Sequence, residues 1–238
     1  MNNEILWLLF ALINFLLITA IYKLFGKTGL FAWIAIGTIL ANIQVMKSID
    51  FEIGHFIIGA TLGNIMYGTL FLVTDALGEK YGIKQAKKAV YIGFFSLISM
   101  TIIMRFAILF TPNMYGEEVN NAFKLIFIPG TRVVIGSLIA YGISQTVDVY
   151  VFDAIKNKLS DTKYLYIRNI GSTVFSQLLD TIIFVPIAFL GYFPNDLVWE
   201  IFWTTYLIKL VVAILDTPFV YWIKHIKPFD LLDESKEQ

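Results

Sequence analysis

Apolar stretches long enough to cross a lipid bilayer follow one another through most of the chain, and no other feature restricts its fold so severely. They run at about 5–22, 28–46, 55–77, 88–110, 131–152, 169–190 and 200–223. A helix rises 1.5 Å per residue and so needs about 20 apolar residues to span the hydrocarbon core. Within that core every backbone amide must be paired inside the protein, which leaves helices and closed barrels. Barrel strands alternate polar and apolar residues over about ten positions, whereas these runs are continuously apolar. The expected fold is an all-α, polytopic membrane helical bundle with seven transmembrane helices. Only 15% of the 238 residues are charged, against about 25% in a soluble domain.

The same composition removes several functions. With no cysteine, disulfides, thiol catalysis and thiolate-bound metals are excluded. His55 and His225 lie too far apart in sequence to suggest a metal site, so no metal or cofactor is expected. A net charge of zero gives no sign of a nucleic-acid partner. No Lys or Arg precedes the first apolar run and no small-residue cleavage site follows it, so that run reads as a retained helix rather than a signal peptide. A membrane enzyme would need a nucleophile or a paired acid–base site at the aqueous interface, and none is evident.

The connections carry an alternating charge pattern. Lys23 and Lys27 fall between the first two segments, Lys80, Lys84, Lys87 and Lys88 between the third and fourth, and Lys156, Lys158, Lys163 and Arg168 between the fifth and sixth. Lys224 and Lys227 follow the seventh, while the alternate connections hold only Lys47 and Lys124. Positive residues favour cytoplasmic loops, so the expected orientation is N-terminus out and C-terminus in, within the cytoplasmic membrane. Residues 1–223 then form one transmembrane domain and 224–238 a polar cytoplasmic tail. The connection at 111–130 reads either as a short interfacial helix or as a lid on the outer face.

Seven ionisable residues remain inside the apolar runs: Arg105, Arg132, Lys209, Asp75, Asp148, Asp180 and Asp216. Such groups cost about 2.5–3.5 kcal/mol each at a helix centre on insertion scales, and they usually face a cavity or one another. From the helical rise, Asp180 falls near mid-depth and Lys209 roughly 3 Å outward, a candidate pair. Gln145 and Gln177 lie about 4–5 Å inward of centre, and Asp148, Asp216 and Asp75 progressively further in. The sequences Ser144-Gln145-Thr146-Val147-Asp148 and Ser176-Gln177-Leu178-Leu179-Asp180 repeat the pattern S-Q-x-x-D, placing amide and carboxylate on one helix face. Asn42, Gln44 and Asn64 either line a cavity or tie helices together. A polar cavity near the midplane of a helical bundle is where transporters hold their substrates.

The stretches TLFLVTDALGEKYG (69–82), TRVVIGSLIAYGISQTVDVYVFDAIK (131–156), TVFSQLLDTIIFVPIAF (173–189) and YLIKLVVAILDTPFVYW (206–222) resemble the queuosine precursor transporter family, also called the VUT family. The resemblance covers about residues 28–223. It implies import of a small-molecule 7-deazapurine, 7-cyano-7-deazaguanine or a relative, for tRNA modification. It places the family pattern on Asp75, Arg132, Ser137, Gln145, Asp148, Asp180, Thr181 and Lys209, with an amide at Gln177. Asp180, Gln177 and Gln145 would read the base edge and Lys209 would orient Asp180. Arg132 and Arg105 would shape the outer entry, and Asp75 and Asp148 would close the inner gate with Lys or backbone partners. The family is similar in turn to the six-helix substrate-binding components of energy-coupling-factor vitamin transporters, which makes 28–223 the core and the first helix an addition. Those components show an alanine-x-x-x-alanine stripe that is missing from the first two segments here, and there is no P-loop. The expectation is a solitary facilitator drawn inward by consumption of its substrate; the alternative is a binding component that needs an ATPase module. Membrane lipid is the other expected partner, and the oligomeric state is open.

Overall fold

The computed structural model describes residues 2–53, 56–128, 131–191 and 193–229, without the side chains of 53, 56–58, 131 and 132. Among these residues the chain forms seven α-helices and one β-hairpin: α1 (Asn3–Gln44), β1 (Ser48–Ile53), β2 (Phe56–Thr61), α2 (Gly63–Tyr81), α3 (Ile83–Leu109), α4 (Glu117–Phe127), α5 (Thr131–Lys158), α6 (Leu165–Phe189) and α7 (Asn195–His225). Five of them, α1, α3, α5, α6 and α7, are long and apolar enough to cross a membrane.

Helix α1 contains the first two expected spans. They meet at Gly26, whose φ of 55° and ψ of −137° interrupt the helix in a region essentially reserved for glycine. The second arm packs closely on the first, since a Cβ on Gly29 would lie 2.4 Å from the Ile21 carbonyl oxygen. The arms are antiparallel. Asn3, at the start of the first, donates to the Asp50 carbonyl at 2.8 Å, and the Glu52 amide donates to the Glu4 carboxylate at 2.6 Å, so the N-terminus returns to the hairpin that follows the second arm.

The third expected span, 55–77, is corrected. Its residues 56–61 are strand, with β1 and β2 paired antiparallel in the register Ser48 to Thr61, and the helix begins only at Gly63. The alternation Ser48-Ile49-Asp50-Phe51-Glu52-Ile53 is the period-two signal of a half-buried strand. The apolar run Phe56–Gly59 after it suits strand and helix alike. Helix α2 therefore ends later and carries Glu79 to the end of the bundle opposite the hairpin. It is the central helix, buried all round from Gly63 to Gly78 apart from Tyr67, as expected of a helix with no lipid-facing side.

The bundle is polar inside and apolar outside. Asp75, Gln145, Asp148, Arg168, Asn169, Ser176, Gln177 and Asp216 are buried, while Leu9, Ile13, Phe95, Ile103, Ile139, Phe175, Leu207 and Ile214 are exposed around its girth. Trp199 and Trp203 are exposed near one end of α7 and Trp222 near the other. The separation of Trp203 and Trp222 along the helix is about 28 Å, close to the hydrocarbon thickness that aromatic belts bracket. The 111–130 connection contains α4, an amphipathic helix with only Asn120 buried.

Candidate functional site

A cavity of about 810 Å³ runs from the hairpin end of the bundle down to Asp180 and Lys209, within the usual range for small-molecule sites. Its rim is formed by Ser48 and Gly59–Thr61 of the hairpin and by Leu197 and Glu200 of α7; Phe184, Phe189 and Phe193 supply an aromatic wall. Asn64 and Tyr67 of α2 face in from the other side. The Asn64 amide nitrogen is buried without a partner among the described residues, and the Tyr67 hydroxyl lies against Ser137 and Asn42.

The floor is a salt bridge. Lys209 Nζ donates to Asp180 Oδ2, with the lysine side chain 4% exposed and the aspartate 14%. Asp180 Oδ1 accepts from the Ser144 hydroxyl at 3.1 Å. A carboxylate offers about four lone-pair sites, so Asp180 retains acceptor capacity toward the cavity although both oxygens are engaged. A flat ligand with two adjacent donors matches such a group, and the aromatic wall offers its faces stacking partners.

Below the floor the two S-Q-x-x-D segments exchange partners. Ser144 of the first donates to Asp180 of the second, and Ser176 of the second donates to Asp148 of the first at 2.8 Å. With α5 packed on α6, each repeat's serine thus serves the other repeat's aspartate. Gln145 accepts from Thr74 at 3.3 Å; among the described residues its amide nitrogen has no partner, and neither does either polar atom of the buried Gln177. Asp75 and Asp148 interact directly, with Asp216 close to both. Asn169 holds Asp216 Oδ1 at 2.8 Å and Thr217 at 3.0 Å.

The far end is closed by Glu79. Its Oε1 accepts from Arg168 at 2.9 Å and Lys224 at 2.5 Å, and Lys156 lies 3.7 Å from Oε2. Arg168 also donates to the carbonyls of Leu159 and Asp161. Lys156 caps α2 through the Gly78 and Glu79 carbonyls, and Lys80 caps α7 through those of Ile223 and Ile226.

This layout, a cavity leading to a buried ion pair within a bundle closed at one end, is shared by many carriers, and sequence comparison narrows it. Residues 61–223 match a family described as "Putative vitamin uptake transporter". The chain belongs to the vitamin uptake transporter family. It is 45% identical over 230 residues to a "Probable queuosine precursor transporter" of Bacillus subtilis (strain 168), covering 97% of this chain and 98% of that protein. A protein of the same description from Haemophilus influenzae (strain ATCC 51907 / DSM 11121 / KW20 / Rd) is 28% identical over 162 residues, 66% of this chain and 64% of the relative. No solved structure matches. As a vitamin uptake transporter family member, the chain is a multi-pass membrane transporter.

The sequence-predicted residues fall into two layers of this transporter. Asn64, Asp180 and Lys209 are on the cavity wall; Gln145, Gln177, Asp148 and Asp75 lie in the buried layer outside that wall. The side chain of Arg132 and the whole of His55 are outside the described residues, and Arg105 is half-buried on α3 away from the cavity. Two expectations are corrected. Arg168, grouped with the loop cations, is fully buried on Glu79. Asp75 and Asp148 have no lysine partner among the described residues; the lysines at this end meet Glu79. Glu79 was legible only as an acid one helical turn beyond Asp75, on the same face.

Proposed function

We propose that this transporter imports a queuosine precursor, 7-cyano-7-deazaguanine or a closely related 7-deazapurine, for tRNA modification, and that it works without an ATP-hydrolysing partner. The names of the two relatives support the substrate class. The observation that carries the reading is the Asp180–Lys209 pair at the foot of a cavity with an aromatic wall. A 7-deazaguanine edge presents a ring N–H and an amino group side by side, both donors, to which Asp180 is complementary. Asn64 and Glu200 face the rest of the ligand.

The cationic groups Lys80, Lys156, Arg168 and Lys224 gather at the closed end. By the positive-inside rule that end is cytoplasmic and the cavity opens outward. Gln145 and Gln177, buried with spare hydrogen-bonding capacity, are positioned to meet the ligand as it moves inward past the floor.

The test is binding of 7-cyano-7-deazaguanine, 7-aminomethyl-7-deazaguanine, queuine and guanine to the purified chain, followed by uptake into liposomes holding no other protein. Binding with uptake is the expected result. Binding without uptake would favour the partner-dependent component, and absence of binding would remove the substrate class.

A further inference from the structure

Between the cavity floor and the Glu79 clamp lies a buried polar layer whose acids lack counter-charge. Asp75 is 1% exposed, Asp148 is fully buried and Asp216 is 1% exposed. Among the described residues no cation pairs with any of them: Lys209 is held by Asp180, and Arg168, Lys156 and Lys224 by Glu79. The groups that meet in this layer are Asp75 and, one turn further, Glu79 from α2; Asp148 from α5; Asp216 from α7; and from α6 the uncharged Asn169, Ser172 and Ser176. Asp148 Oδ1 accepts from Ser176 and Asp216 Oδ1 from Asn169. Among the described residues, no donor side chain or amide gives a hydrogen bond to Asp148 Oδ2 or to either oxygen of Asp75. The carboxyls of Asp75 and Asp148 nevertheless face each other at hydrogen-bonding range.

Ionised carboxylates only accept hydrogen bonds, so this contact needs a proton on one of them. Two adjoining, unpaired charges buried away from solvent would not coexist. Beside the pair, the buried Gln145 amide nitrogen, whose own oxygen is held by Thr74, also has no partner among the described residues. Among the described residues no set of three ligating side chains could hold a metal ion. We propose that Asp75 and Asp148 form a proton-binding site, occupied whenever the inner half of the bundle is closed over it.

The inference rests on the import reading for one step, the opening of the inner half to release substrate. Opening lets water in, the pair ionises and its proton leaves to the inner solution; closing takes one up from there. The closed state binds the extra proton, so raising the inner pH favours the open state. One proton limits the effect to about tenfold per pH unit.

Infrared spectra of the purified protein, without substrate, test the site directly. A carbonyl stretch of a protonated carboxylic acid is expected in the wild type, with a component lost in both Asp75→Asn and Asp148→Asn. If neither variant inserts, the deuterium shift and pH titration of the wild-type band decide. In vesicles, 7-cyano-7-deazaguanine uptake is expected to rise as the lumen is made alkaline at fixed outer pH, and to lose that dependence in both variants. No lost component, unchanged lumen dependence in the variants, or dependence on sodium in place of protons overturns the site. A carbonyl component in a protein that binds no 7-deazapurine overturns the import reading and leaves the proton site standing.

Discussion

Asp180 is structural through its pair with Lys209 and, in the proposed function, also a binding residue, and the two roles predict different rescue behaviour. Its partner Lys209 is 4% exposed, so Asp180→Asn strands a buried ammonium, a change that typically costs about 3–5 kcal/mol. Thermal unfolding in detergent should show that loss, and Asp180→Asn with Lys209→Gln should recover most of it. Ligand binding should stay lost in both proteins, because the acceptor facing the cavity is gone. Recovery of binding in the double variant would reduce Asp180 to a packing role. The serines of the exchanged repeats are easier to read. Ser144→Ala and Ser176→Ala each remove a hydrogen bond to a carboxylate, a loss of about 1.5–3 kcal/mol. Sequence alone supplied these residues and their S-Q-x-x-D spacing. It could not show that each serine serves the other segment's aspartate, because that depends on the rotation of α5 against α6.

Among the elements, α1 is the one whose shape hangs on a single residue. Gly26 turns one 42-residue helix into two antiparallel arms. Gly26→Ala should destabilise the protein by about 1–3 kcal/mol, seen as a lower unfolding temperature in detergent. An unchanged temperature would mean that the reversal tolerates a side chain. Helix α2 teaches a different lesson. Its apolar character is legible, but its start is not, since the hairpin before it is also apolar and short apolar runs fit strand and helix alike. Displacing the helix toward the C-terminus is what brings Asp75 to the buried acidic layer and Glu79 to the closed end.

Across the whole molecule, the Glu79 cluster ties α2, α5, α6 and α7 together at one end, while the other end is open at the cavity. Glu79→Gln should loosen that end. We expect faster exchange of backbone amides around Leu159 and Thr162 by mass spectrometry, with the hairpin unaffected; equal exchange throughout would mean the cluster is not the clamp. Sidedness is open to a clean test because the chain has no cysteine. Tyr115→Cys, at an exposed position before α4, should react with an impermeant maleimide in intact cells, and Lys163→Cys only after permeabilisation. The reverse pattern would invert the proposed orientation.

What the sequence by itself determined is the environment and the class: bilayer-length apolar runs demand helices, buried acids and amides mark an interior polar path, and four ordered motifs point to the transporter family. These signals are local, carried by the period of a single helix or the content of a single stretch. The tertiary structure alone decided which polar groups meet. It placed Asn64, Asp180 and Lys209 on the cavity, set Asp75 against Asp148, and gathered Arg168, Lys156 and Lys224 onto Glu79. Those meetings depend on the relative rotation and axial offset of helices that can lie more than a hundred residues apart in the chain. Packing sets both quantities, and no single helix's periodicity encodes them.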